Sequence, residues 1–157
     1  MAVKQISVFV ENEPGKLAEF AEVLSEHQID MRALSMAETR DFGILRIIVD
    51  DPYKTACLLK ESGYVFSITP VLAVAIPDEP GSLLQVLRLM KEGGINVEYT
   101  YAFITRRQDC AYMIFRVEDN DKAVDILTRH DVQMCIRDRY PGGGVPILLI
   151  FMVKDRA

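Results

Sequence analysis

The chain repeats one pattern about 66 residues apart, and this repeat constrains its fold more than any other feature. Glu13-Pro14-Gly15 recurs as Glu79-Pro80-Gly81, and Ile29-Asp30 recurs as Ile95-Asn96. Self-similarity at a fixed spacing indicates duplicated structural units. The 157 residues therefore predict two small units rather than one domain of ordinary size.

The first copy predicts a β-α-β-β-α-β order of elements. Apolar residues alternate at the start of the copy, as in a strand with one buried face, and then follow helical spacing after the Pro-Gly pair. The predicted elements are, in order, a strand at 5–10, a helix at 17–27, strands at 29–39 and 43–49, a helix opened by Asp51-Pro52, and a strand at 65–69. Asp51 suits the N-cap of the second helix, and Pro52 suits its first turn.

The second copy predicts the same order. Its elements are a strand at 72–76, a helix at 83–90 that stops at Gly93-Gly94, strands at 95–105 and 110–117, a helix around 123–127, and a strand beginning near Val132. Two ferredoxin-like units of the α+β class follow, each an antiparallel sheet with helices on one face. The predicted domains are residues 1–69 and 70–133, and the lack of a linker between them predicts that they pack side by side.

Residues 134–157 do not continue the repeat. Met134-Cys135-Ile136-Arg137-Asp138-Arg139 resembles the translation of a transposon end used in sequencing libraries, and residues 140–144 have the composition of a flexible link. We therefore expect this atypical tail to be an assembly artefact without function.

Charge and cysteine content exclude several classes of protein. The chain carries 18 Lys and Arg against 23 Asp and Glu, a net charge of −5, and residues 1–133 alone carry −7. Binding to a phosphate backbone depends on basic side chains, so nucleic acid is not an expected partner. Three cysteines without CxxC spacing predict neither disulfides nor zinc, but buried reduced thiols in a cytoplasmic protein. No signal peptide or spanning segment of the required ~20 apolar residues is expected, so no membrane is involved.

The loop from Val10 to Leu17 is the most informative segment for function. Gly15 lets the backbone approach a ligand closely, and the helix start after it offers N–H groups that favour an anion such as a carboxylate. Asn12 carries both a donor and acceptors, which suits a ligand with an ammonium and a carboxylate group. A simple strand-to-helix turn is the alternative interpretation. The recurrence of the loop at Pro80-Gly81 leaves both interpretations open.

The repeated loop and turn resemble those of the ACT domain, a small regulatory module of amino-acid metabolism. The resemblance is carried by the segments 12–17 with 28–30 and 78–83 with 94–96, namely Asn12-Glu13-Pro14-Gly15-Lys16-Leu17, Gln28-Ile29-Asp30, Asp78-Glu79-Pro80-Gly81-Ser82-Leu83 and Gly94-Ile95-Asn96. It covers residues 4–133 and is closest to stand-alone bacterial proteins made of two ACT domains. It implies two units joined in an eight-stranded antiparallel sheet, with a free amino acid at their interface and no cofactor.

The resemblance also implies two sets of ligand contacts. One set comprises Asn12, Pro14, Gly15, Lys16 and Leu17 facing Asn96, and the other comprises Asp78, Gly81, Ser82 and Leu83 facing Asp30. The first is lined by amides and is predicted to be the better site. The second brings two carboxylates together, which disfavours an anionic ligand and raises one pKa if they lie close.

Several functions remain open at this point. The preferred one is a free-standing amino-acid sensor, and the alternative is a regulatory subunit that docks on a biosynthetic enzyme such as acetolactate synthase. An RNA-binding module has the same β-α-β-β-α-β order, but Ile44 and Ile47 stand where base-stacking aromatics belong. Phe9, on the open face of the sheet, is expected to pack against a second copy in a homodimer.

An enzyme is not expected. His27 and His130 lie near helix ends, and no cysteine, serine or carboxylate constellation is repeated around them. The sequence also offers no cluster of metal ligands. No catalytic residue, metal or cofactor is therefore assigned.

Overall fold

The computed structural model describes residues 2–38, 40–103 and 110–134. Two compact units divide the chain between Thr69 and Pro70, and the residues before Lys4 belong with the second unit. The elements are β1 (Val3–Glu11), α1 (Lys16–Glu26), β2 (Met31–Glu38), β3 (Phe42–Val49), α2 (Pro52–Glu61), β4 (Phe66–Pro77), α3 (Ser82–Glu92), β5 (Val97–Phe103), β6 (Cys110–Val117), α4 (Asn120–Arg129) and β7 (Gln133–Met134). In the described part of the chain, none of the helices has the length and apolar character that a membrane crossing needs.

The first unit is an antiparallel sheet with both of its helices against one face. β3 lies between β1 and β2, and β1 also pairs with β4. Just before β4, the Val65 carbonyl accepts a hydrogen bond from the Phe9 N–H at 2.9 Å. Its core contains Ile6, Val8, Val10, Phe20, Leu24, Ile29, Leu45, Ile47, Val49, Leu58 and Leu59. The alternation predicted for β1 and the helical spacing predicted for α1 are therefore correct, because both supply their apolar residues to one core.

The second unit repeats this plan. β6 lies between β5 and β4, and β4 also pairs with β7 through Val74 and Met134. Its core contains Leu72, Val74, Ile76, Val86, Met90, Phe115, Val117, Ala123 and Leu127. Val8 and Val74 hold equivalent, fully buried positions in the two units, so the α+β, ferredoxin-like prediction is confirmed for each.

The prediction of eight strands needs a correction. The described residues form seven, because the strands predicted at 65–69 and 72–76 are one continuous strand, β4. Pro70 lies in the middle of β4, at the boundary between the units. Proline has an extended φ but no N–H, so it is compatible with a strand where the hydrogen-bonded ladder is interrupted.

The last described residues of the second unit form a short strand. Met134, the first residue of the predicted atypical tail, pairs in β7, and Val132 and Met134 both pack against the core of the second unit. The rest of that tail, residues 135–157, lies outside the described residues, as do residues 104–105 of a predicted strand.

The prediction of buried thiols is wrong for one cysteine. Cys57 on α2 is exposed, and Cys110 at the start of β6 is half-buried. Cys57 lies on the outer surface of α2, next in sequence to the buried Leu58. A small apolar side chain is therefore accommodated on the solvent face of this helix.

The N-terminus of α2 is capped as the sequence predicts, and this cap gives a measurable prediction. Asp51 Oδ1 accepts hydrogen bonds from the N–H groups of Tyr53 at 3.1 Å and Lys54 at 3.0 Å. Asp51→Ala removes this acceptor and is expected to lower the free energy of unfolding by about 1 kcal/mol in urea denaturation. Asp51→Asn keeps an acceptor oxygen and is expected to lose much less. Equal losses in the two variants would contradict a hydrogen-bonding role for this side chain.

Candidate functional site

The first Pro-Gly loop presents the open end of a helix. Gly15 has a φ of 92°, in the left-handed region, and directly precedes α1. The Lys16 N–H donates to Glu13 O at 3.3 Å, and the Glu19 N–H donates to Gly15 O at 2.9 Å. Within the described residues, no side chain caps this helix. Its first-turn N–H groups therefore form a positive end that favours an anionic ligand group.

Asn12 is held beside this helix end by the β2–β3 hairpin. Its backbone N–H donates to Asp41 O at 3.1 Å, and its side-chain Nδ2 donates to Arg40 O at 3.5 Å. Asn12 is also exposed to solvent. An amide that can both donate and accept hydrogen bonds thus lies at the start of the loop. The hydrogen bond of its backbone N–H holds it there.

Lys16 carries the positive charge of the first loop. Its Nζ lies 3.2 Å from Glu19 Oε2 and 3.5 Å from Glu11 Oε2. The hydrogen bond and charge of Glu19, and then the charge of Glu11, raise the pKa of Lys16 above its ordinary value. The ammonium group therefore stays protonated at neutral pH, with two carboxylates around it.

The second loop has the same backbone with different side chains. Gly81 has a φ of 94° and precedes α3. The Ser82 N–H donates to Glu79 O at 3.2 Å, and the Gln85 N–H donates to Gly81 O at 3.1 Å. Asp78 and Pro80 are exposed, Ser82 is buried, and Leu83 packs against the core of the second unit. A carboxylate at Asp78 thus takes the place of the amide of Asn12.

The turns that carry Asp30 and Asn96 are also alike. Gln28 and Gly94 have left-handed φ values of 54° and 65°. The next residue in each turn hydrogen-bonds back to the preceding helix, from the Ile29 N–H to Leu24 O at 2.9 Å and from the Ile95 N–H to Met90 O at 2.8 Å. Asp30 and Asn96 follow, both exposed. Each turn therefore anchors an isoleucine and places a polar side chain just before the next strand.

Asp30 is tied into its own unit by an ion pair that the repeat pattern did not predict. Its carboxylate lies 2.8 Å from Arg32 Nη2, and its N–H donates to Asp50 Oδ1 at 3.1 Å. Arg32 stands two residues further along the chain, so the close spacing of two opposite charges was the available signal. The matching residue of the second unit is Glu98, which pairs with Arg116 at 3.5 Å.

The predicted contacts divide between the two units. The Asn12 loop and Asp30 belong to the first unit, and the Asp78 loop and Asn96 belong to the second. The pairing of Asn12 with Asn96, and that of Asp78 with Asp30, stay predictions. Across residues 2–38, 40–103 and 110–134, no group of three or more His, Cys, Asp or Glu side chains is arranged to hold a metal ion.

Two tandem ferredoxin-like units, each with a glycine loop at the start of its first helix, define the class of duplicated ferredoxin-like proteins. The family model described as an ACT domain pair matches residues 1–139. The chain belongs to this family, as the sequence resemblance indicated. ACT domain pairs are regulatory modules, so the family assigns a regulatory role.

Solved structures support the family assignment. Protein BT0572 from Bacteroides thetaiotaomicron is 38% identical, with a TM-score of 0.80 over 85% of this chain and 92% of that chain. The regulatory subunit of aspartate kinase from Thermus thermophilus is 16% identical, with a TM-score of 0.60 over 82% of this chain and 91% of that chain. A structure of aspartokinase alpha and beta subunits is 17% identical, with a TM-score of 0.55 over 80% of this chain and 90% of that chain. The last two show the fold alone. No curated protein matches the sequence.

Proposed function

We propose that the protein binds a free amino acid and acts as a regulatory or sensor protein. The observation that carries this proposal is the exposed loop at Gly15, where a helix N-terminus and the amide of Asn12 lie together in an ACT domain pair. The α-carboxylate would accept hydrogen bonds from the first turn of α1. The α-ammonium group would donate to an amide oxygen, which provides an acceptor without a competing charge.

The preferred site uses Asn12, with the loop residues after it, and Asn96. The resemblance to ACT domains places the ligand between the loop of one unit and the second strand of the other, which is why these two amides are paired. Both residues are exposed. Two neutral amides can donate to the carboxylate and accept from the ammonium group without adding a charge of their own to the site.

The site at Asp78 and Asp30 is expected to be weaker. Asp78 places a carboxylate beside the N-terminus of α3, where it competes with a ligand carboxylate for the same helix end. Asp30 already pairs with Arg32 at 2.8 Å. We therefore propose that the two sites differ in affinity. As the ligand concentration rises, the site at Asn12 fills first, and the site at Asp78 fills only afterwards.

Ligand-induced stabilisation tests the proposed site. A ligand that binds only the folded state raises the melting temperature, and a thermal-shift screen over the proteinogenic amino acids is expected to identify one. Asn12→Ala is expected to abolish this shift while leaving the melting temperature without ligand nearly unchanged, because Asn12 is exposed.

Asp78→Ala is the matched control, because it alters the equivalent loop position of the second unit. It is expected to keep the shift. A shift that survives Asn12→Ala but disappears in Asp78→Ala would reverse the order of the two sites, and a shift that survives both would place the ligand elsewhere.

A second candidate function is a regulatory subunit that docks on a biosynthetic enzyme. Phe9 and Phe42 are 45% and 42% exposed, and their ring centroids lie 6.0 Å apart on the sheet face away from the helices. Paired exposed aromatics are typical of protein contacts, and the predicted homodimer would use the same face. Affinity purification from the native host distinguishes the two, because only the docking function predicts a stoichiometric enzyme partner.

A further inference from the structure

The helix-facing side of β2 carries exposed apolar side chains. Leu34 is 42% exposed and Met36 is 40% exposed. Leu34 pairs with Ile47 and Met36 pairs with Leu45, and both partners belong to the core on which α1 and α2 pack. Met36 is the one nearer to the β2–β3 hairpin, at the end of the unit where the Pro-Gly loop begins.

Met36 lies over a glycine. A Cβ atom at Gly43 would overlap Met36 Cε, so the methionine methyl group fills the space of a missing side chain. Gly43 pairs with Val10, two residues before Asn12. In the second unit, register places Ala102 and Ala111 at these positions. The long side chain over a glycine is therefore a property of the first unit.

This arrangement is continuous with the proposed ligand site. In the hairpin that leads into Gly43, Asp41 O accepts a hydrogen bond from the backbone N–H of Asn12. Arg40 O accepts one from the side-chain Nδ2 of Asn12. Leu17, in the first turn of α1, is also 43% exposed. The hydrogen-bonding groups of the loop and the apolar surface of Met36 thus belong to the same end of one unit.

We propose that Met36, seated over Gly43, selects the side chain of the bound amino acid and favours an aliphatic one. The inference rests on the proposed function and names the ligand class for that site. Covering the exposed part of Met36 with an apolar group removes apolar surface from water, whereas a polar group placed there loses hydrogen bonds to water. The thioether chain is flexible and polarisable, so it adapts to aliphatic side chains of different shapes.

The test measures the affinities of L-leucine, L-methionine, L-serine and L-aspartate by calorimetric titration. The full-length protein is expected to bind the two aliphatic ligands more tightly than the two polar ones. Met36→Ala is expected to weaken L-leucine binding by about tenfold or more, which is the discrimination that contacts in an apolar pocket provide. Binding of L-serine is expected to stay unchanged.

Three further variants make the test specific. Leu34→Ala removes a side chain of nearly equal exposure from the same face of β2, but further from the loop, and is expected to leave all affinities unchanged. Gly43→Ala displaces Met36 and is expected to reproduce the loss seen in Met36→Ala. Met36→Leu keeps an apolar side chain of similar volume and is expected to retain L-leucine binding.

The outcomes separate this inference from the proposed function. If Met36→Ala keeps the selectivity of the unmodified protein, or if that protein binds only polar amino acids, the inference is wrong, while loss of binding in Asn12→Ala still supports the proposed function. If no amino acid binds the unmodified protein, both are wrong. If Met36→Ala changes the mass in light scattering but no affinity, Met36 belongs to an interface between copies and the inference is wrong.

Discussion

Replacing Phe20 by alanine is expected to lower the free energy of unfolding of the first unit by about 3–5 kcal/mol. Phe20 on α1 is 1% exposed, in the centre of the core of this unit. Its ring meets Tyr64 edge to face, with centroids 5.4 Å apart and an interplanar angle of 89°. The substitution removes the buried apolar surface, leaves a cavity and ends the aromatic contact, and these three losses act in the same direction.

Urea denaturation followed by circular dichroism measures this effect. Phe9→Ala is the matched control, because it deletes the same atoms from a ring that is 45% exposed. Phe9 contacts the ring of Phe42, so a loss of about 0.5–1.5 kcal/mol is expected there. Losses of equal size at Phe9 and Phe20 would mean that the helix-facing core does not dominate the stability of the first unit.

Introducing aspartate at Val8 is expected to have a still larger effect, with the first unit unfolded at neutral pH. Val8 is fully buried in the middle of β1, whereas the next residue, Phe9, is 45% exposed on the opposite face. A buried carboxylate without a partner loses its hydration and gains nothing in exchange, at a cost of at least about 4 kcal/mol. Phe9→Asp places the same charge one position further along and is expected to keep the unit folded.

The pH dependence of Val8→Asp provides a second readout. Burial raises the pKa of a carboxyl group, so the folded form of this variant would bind a proton more readily than its unfolded form. The destabilisation is therefore larger at neutral pH than in acid, and it decreases as the pH falls toward about 4, the ordinary pKa of an unfolded aspartate. Val8→Asn has no such titration, so its stability relative to the original protein is expected to change little over this range. Parallel behaviour of the two variants would contradict a buried charge at Val8.

The sequence was sufficient for the parts of the fold that depend on local patterns. Alternation in β1 and the helical spacing of α1 are set by which face is buried, and the cap at Asp51 is set by the chemistry of one side chain and two N–H groups. The loops at Gly15 and Gly81 were identified because they recur. Their left-handed φ values of 92° and 94° explain the glycines.

Other features depend on geometry that a linear pattern does not contain. The continuity of β4 could not be predicted, because Pro70 normally marks the end of a strand. The ion pair between Arg32 and Asp30 places a positive charge beside Asp30, and it depends on the rotamers of two side chains. The position of Met36 over Gly43 was missed for a related reason, since the glycine and the methionine meet only through the antiparallel register of β2 and β3.

The near identity of the two Pro-Gly loops has a consequence for how such a protein can change. Gly15 and Gly81 hold almost the same backbone angle, while the side chains around them differ, Asn12 from Asp78 and Lys16 from Ser82. The side chains of a loop can therefore change while its backbone conformation stays the same. Two copies of one scaffold can diverge independently in what they recognise, and side chains can be exchanged between the loops without rebuilding either turn.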